Sequence, residues 1–169
     1  MSDRTPLTPP DVDAAERMWA EYAAARPAQA AAGPEHVADH FGDSVELSAE
    51  LLGLVLSGAK RATAALASDF PAHGEPLPRI GSHWVACDGD GAPVVVLRTT
   101  ELRLGPIDSV DDAFAHDEGE DDRTRASWLE GHRRYWTRVC AARGEAFDEA
   151  EDVVFERFEV VWPPEHADR

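Results

Sequence analysis

Lysine is nearly missing from this chain. Of its sixteen basic residues fifteen are arginine, and thirty-three residues are acidic, giving a formal net charge of −17 at pH 7. An acidic excess of that size excludes broad electrostatic capture of duplex DNA or of an anionic membrane surface. It leaves room for a small basic pocket on an acidic body. Cysteine is equally sparse. Cys87 and Cys140 stand far apart and form no CxxC pair, so neither a disulfide framework nor a paired-thiol metal site is expected, and free thiols in a reducing cytoplasm are. No apolar run approaches the roughly 18 residues of a membrane-spanning helix. The opening stretch MSDRTPLTPPDVD has no apolar segment of the kind a secretory leader needs, and it reads as a short Pro-rich tail. GxxxxGK[ST], GxGxxG and GxSxG are absent, so no phosphate-loop nucleotide site and no nucleophile elbow is expected. The expected cofactor complement is none, and the expected location is cytoplasmic.

An apolar fraction of 43% and five tryptophans are enough for a packed core in 169 residues, and the length suits one domain with an arm. In DVDAAERMWAEYAAARPAQAA, residues 11–31, Val12, Ala15, Met18, Trp19 and Tyr22 fall near helical spacing. Pro27 should end or kink this helix, and PAQAAAGPEH reads as a linker. Residues 1–34 are therefore expected to form an N-terminal tail and helical arm, and residues 35–169 the domain. Ser44 is a candidate N-cap for SVELSAELLGLVLSG, where Leu47, Leu51, Leu54 and Val55 make an apolar stripe and Gly58 a terminator.

Beyond Gly58 the pattern changes. ATAALA is a short strand start, DFPAHGEPLPRIGS is loop, and HWVACD, DGDGAP and VVVLRTTELRLG read as strand, hairpin turn and long strand. Helices return at IDSVDDAFAHDEG and DRTRASWLEGHRRYWTRVCAARG. The second carries Trp128, Leu129, His132, Tyr135, Trp136 and Val139 at helical spacing. DVVFERFEVVW closes the chain as an alternating strand. The order predicts an α+β protein with a small curved, mostly antiparallel sheet or barrel and helices packed around it.

Few motifs carry chemistry. His36 and His40 are four apart, but Val37 stands where a zinc-protease glutamate would be and no third ligand is evident, so no metal site is expected. DGDGAP lacks the later bidentate glutamate of a calcium loop. The acidic run DEGEDD reads as a solvated loop. The lone Lys60 in GAKRAT is different. It lies just past a helix end, with Thr63 three residues on. A regular strand would turn positions 60 and 63 to opposite faces, so they converge only if Lys60 sits in the turn before the strand. A partly buried lysine, unlike arginine, can serve as a base or as a partner for an oxyanion. A surface lysine at a helix C-terminus, favoured by the macrodipole, is the plainer explanation.

At these residues the sequence resembles the ASCH domain family, whose fold is a small β-barrel related to the PUA domain. The likeness begins with FGDSVELSAELLGLVLSGAKRATAAL, which carries GxKxxT, runs through the hairpin and the last helix, and closes at VVFERFEVV, spanning about Phe41 to Trp162. It is greatest to longer bacterial members described as predicted RNA-binding proteins. Some small members are amidohydrolases that remove the acetyl group from acetylated cytidine, and another branch degrades single-stranded RNA. The resemblance implies Lys60, Thr63 and Glu118 as catalytic residues, with Thr63 as nucleophile or water activator, Lys60 as base and electrostatic partner, and Glu118 handling a proton. It also implies substrate contacts at Thr124, Ser127 and Trp128.

Two departures bear on substrate choice. Ala65 stands where the family continues with arginine, and Thr124 and Ser127 replace a serine and a tyrosine, which removes a ring that would stack on a base. The expected function is action on RNA or a modified nucleoside, as a hydrolase. The alternative is a non-catalytic RNA- or nucleotide-binding module. A homodimer through the Ala-rich arm is a further expectation about partners, and no membrane partner is expected.

Overall fold

Asp11 starts the first helix by accepting a hydrogen bond from the amide of Ala14, 2.9 Å away. The computed structural model describes residues 4–169, so the first three residues of the expected tail lie outside the described residues. Helix α1 spans Val12–Ala25. Pro27 ends it as expected but also begins a second helix, α2, over Pro27–Ala32, in place of the expected linker. Proline suits a first helical position, and the alanines that follow are the best helix formers.

HVADH forms a strand, β1 (His36–His40). Little in those five residues favours a strand by itself. Pairing with a neighbour decides the matter. Helix α3 (Val45–Ser57) has Ser44 as its N-cap and Gly58 in the left-handed conformation at its end. Then come β2 (Ala62–Leu66), a single-turn helix α4 (Asp69–Ala72) within the expected loop, β3 (His83–Cys87) and β4 (Pro93–Gly105). Helices α5 (Asp112–Glu118) and α6 (Arg125–Ala142) precede the closing strand β5 (Val153–Trp162).

The five strands form one sheet in the order β1-β3-β4-β5-β2. The β3–β4 and β2–β5 pairs are antiparallel, and β1 runs parallel to β3. This is the mostly antiparallel α+β, PUA-like class expected from the sequence.

The chain divides into two compact units, and β4 and β5 run through both. Among the described residues, one unit holds 4–58, 78–101 and 158–169. Its core has two parts. Phe41, Leu51, Leu52 and Val55 pack with Ala86, Val95, Leu97 and Phe158. Ala15, Tyr22 and Ala30 of the first two helices pack with Val85 and Val96. The Tyr22 hydroxyl lies 3.1 Å from His83 Nε2, while His83 Nδ1 donates to the Gly33 carbonyl at 2.7 Å. Burial lowers the His83 pKa, so the ring is neutral and Nε2 accepts a hydrogen bond from the tyrosine hydroxyl.

The other unit holds residues 59–77 and 102–157. Its core joins Ala62, Leu66, Phe114, Trp128, Trp136, Val153 and Phe155. Both cysteines are free and buried. Burial pushes the Cys87 thiol up to about 11, far from the reactive thiolate range. No helix among the described residues is long and apolar enough to cross a membrane.

Candidate functional site

Glycine sets up the site. Helix α5 starts at its N-cap Asp111 and ends at Gly119, which takes φ +75°. A Cβ built on Gly119 would lie 2.5 Å from the Ala59 carbonyl oxygen, so only glycine lets the helix end approach the segment before β2 this closely. The two stretches are also tied by hydrogen bonds. The Arg61 amide donates to the Asp117 carbonyl at 2.7 Å. The Arg123 guanidinium donates to the carbonyls of His116, at 2.9 Å, and Ala59, at 3.3 Å.

Lys60 is held by this junction with only 1% of its side chain exposed. Its Nζ donates to Glu120 Oε1 at 2.8 Å and to the Glu118 carbonyl at 3.5 Å, and lies 3.9 Å from Glu118 Oε1. Glu118 is as deeply buried as Lys60, whereas 27% of the Glu120 side chain is exposed.

The second oxygen of Glu118 is held from helix α6. Trp128 Nε1 donates to Oε2, and His132 Nε2 stands 3.2 Å from the same atom. His132 Nδ1 lies 2.9 Å from the Trp128 carbonyl. Both ring nitrogens of His132 therefore face acceptors, and both carry protons. Burial alone would lower the His132 pKa, but the Glu118 carboxylate outweighs it and the net shift is upward. Burial likewise pushes Glu118 up, yet Lys60, His132 and the two ring N–H donors bring it below its ordinary value. Lys60 and His132 thus face the carboxylates of Glu118 and Glu120. Glu118, Glu120 and His132 offer ligand atoms within 4.8 Å of one another. The Lys60 ammonium already supplies positive charge there.

The remaining candidates from the sequence are placed as follows. Thr63 is half-buried on β2, directly opposite Glu156 of β5. Its neighbours Ala62 and Ala64 both pack with the core around Trp128, so strand alternation turns Thr63 to the other face of β2. It makes none of the contacts just described. Thr124 is the exposed N-cap of α6, accepting from the Ser127 amide at 3.2 Å and donating to Asp122 at 2.6 Å. Trp128 is 4% exposed. Its ring stacks on His132 and lies near Phe155, so it acts on Glu118 and offers no open face to a base. A shallow groove of about 750 Å³ over the start of α6 is lined by Asp112, Thr124, Arg125, Leu129, Glu130 and Arg133. It includes none of the buried acid–base groups.

His36 and His40 share one face of β1. His36 uses both ring nitrogens on the Pro34 carbonyl and on Glu16.

Residues that the sequence did not single out complete the site. His132 entered only as part of an apolar stripe and Glu120 only as part of an acidic run. The available signal was the four-residue spacing of Trp128 and His132, which puts both on one helix face.

The sequence profile of the ASCH domain family matches residues 37–162. The chain belongs to the ASCH domain family. An ASCH domain from Lactobacillus crispatus JV V101 is 28% identical, with a TM-score of 0.79 over 89% of this chain and 96% of that one. A protein of Enterococcus faecalis V583 is also 28% identical, with a TM-score of 0.75 over 89% of each chain. None of the curated proteins matches. In ASCH terms, the GxKxxT segment contributes Lys60 to the cluster, the end of α5 contributes Glu118, and the segment just after it contributes Glu120.

Proposed function

We propose that this ASCH protein is a hydrolase acting on a modified nucleoside or on single-stranded RNA, with Lys60 and Glu118 as its reacting pair. One observation carries the proposal: a lysine ammonium and a carboxylate, both withdrawn from water, face each other at 3.9 Å, while the carboxylate's far oxygen is held by Trp128 and His132. Preorganised charge in a dry site is the largest source of rate acceleration in acyl transfer.

For an N-acylated nucleoside the step balances as follows. Water adds to the acyl carbon while Glu118 Oε1 takes its proton. The ammonium of Lys60 holds the oxygen that becomes negative. The carbon–nitrogen bond then breaks, and the nitrogen takes the proton from Glu118, leaving a carboxylic acid and a free amine. The net charge of −17 favours a single nucleoside over a long polyanion. Thr63 enters through the family resemblance. The cluster geometry supports Lys60 and Glu118.

A second reading, ligand binding without turnover, is favoured by the closed state of the site, with Glu120 lying directly on Lys60. The two separate when acetylcytidine and single-stranded RNA are incubated with the protein and with Lys60→Ala. Release of acetate or of cleaved RNA that falls about 100-fold or more in the variant supports the hydrolase. Tight RNA binding with no product supports the binding module. Neither product nor binding overturns both.

A further inference from the structure

Arg123 stands on an uncommon backbone. Its φ is +63°, in the left-handed region that glycine tolerates and a long side chain does not favour. Asp121 takes φ +49° two residues earlier, but aspartate is among the residue types enriched there and arginine is not. Strain of this kind persists where surrounding contacts hold it, and it gathers at functional sites. Here one edge of the planar guanidinium does the holding. Nε donates to the His116 carbonyl at 2.9 Å, while Nη2 donates to the Ala59 carbonyl at 3.3 Å and lies 3.4 Å from His116 Nδ1. The Arg123 amide donates to the Glu120 carbonyl at 2.9 Å.

These acceptors flank the reacting pair. The Ala59 carbonyl belongs to the peptide that carries the Lys60 amide. The His116 carbonyl lies in the last turn of α5, which ends at Glu118. One side chain therefore spans the two segments that supply Lys60 and Glu118. The clamp from α6 orients the Glu118 carboxylate. Arg123 acts on a different coordinate, the spacing of the two backbones. A lysine, a point cation without a fork, would not hold two carbonyls in one plane.

We infer that Arg123 is a positioning residue: its guanidinium fork, held on a left-handed backbone, sets the 3.9 Å separation of Lys60 Nζ from Glu118 Oε1. The inference rests on the Lys60–Glu118 reading above and deepens it. Arg123 acts through the backbones of α5 and of the segment before β2, and its bonds go to carbonyl groups there.

The test reads that separation through the Glu118 carboxyl. Burial raises the Glu118 titration, and the Lys60 charge is the largest influence bringing it down. That influence weakens as the two groups move apart. Wild type, Arg123→Gly and Arg123→Lys are titrated by NMR of the side-chain carboxyl carbons, with Glu118→Gln identifying the signal. Arg123→Gly removes the fork and relieves the backbone, so it should fold. Its Glu118 titration should rise by about one pH unit or more. Free guanidinium, kept below its unfolding range, should bring it back. Arg123→Lys keeps the charge without the fork and should show a rise as well. A merely structural role would lower the unfolding midpoint and leave the titration of the folded chain where it was. An unmoved Glu118 titration in Arg123→Gly therefore overturns the inference. A rise absent from Arg123→Lys overturns it too, because charge alone would then suffice, and so does a rise that guanidinium leaves in place. Turnover is read separately. A reversible rise with no product from wild type counts against the hydrolase and leaves the positioning role standing. Product from wild type with an unmoved titration does the reverse.

Discussion

Trp128 and His132, one turn apart on α6, stack with ring centroids 3.9 Å apart and 16° between their planes. Both point a ring N–H at the same oxygen of Glu118. The pair acts as a two-pronged clamp from one helix face. It fixes one carboxylate oxygen and leaves the other directed toward Lys60.

Trp128→Phe removes one prong while keeping an aromatic ring in the core. A buried carboxylate that loses a donor is destabilising by about 1–3 kcal/mol. Urea unfolding should show that loss with an unchanged slope. An unaltered midpoint would mean the indole N–H adds nothing.

The protonation pattern fixes the pH window of this cluster. Glu118 is lowered in the folded protein, so its contribution is present above the ordinary carboxylate range and is lost as acid protonates it. His132 is raised, so its contribution is full below the ordinary imidazole range and is lost as pH climbs through the folded value. Stability should therefore fall on both sides of a plateau bounded by these two groups. Glu118→Gln should bring the His132 ring, followed by NMR, back toward lower pH. A His132 titration unmoved by that change would contradict the pairing.

Lys60 and Glu118 should behave as one unit. Lys60→Met or Glu118→Gln alone leaves an unbalanced charge in a dry place and should cost about 3–5 kcal/mol. The double variant should cost clearly less than the two losses added. Strict additivity in a double-mutant cycle would show that the two groups do not interact.

Gly119→Ala tests how the site is assembled. The added methyl meets the Ala59 carbonyl at 2.5 Å on a backbone with φ +75°. The expected result is a destabilisation of more than about 1 kcal/mol and weaker ligand binding, because α5 must draw back from Lys60. Full stability would mean the close approach is not required.

Much of the fold could be read from the chain. Ser44 and Gly58 mark both ends of α3, and the apolar positions of DVVFERFEVVW mark β5, because capping and alternation are local signals. β1 was not legible, since HVADH becomes a strand only by pairing alongside β3. α2 was hidden because Pro27 reads equally well as a stop and as a start. Lys60 stood out as the lone lysine and Glu118 came from the family resemblance, but no local pattern gives their 3.9 Å separation. Glu120 and His132 were masked by their surroundings, an acidic run and an apolar helical stripe. Their roles depend on the contact between the end of α5 and the face of α6, which is set by tertiary packing.

The lone lysine offers the most direct test of the central claim. Lys60→Arg keeps the charge but replaces a compact ammonium with a planar fork, at a position with 1% exposure. The measurement is acetate release from acetylcytidine, and cleavage of single-stranded RNA in parallel, each normalised to folded protein. The account predicts turnover by the wild-type chain and a loss of about 100-fold or more in Lys60→Arg. Equal turnover by the two proteins would contradict it.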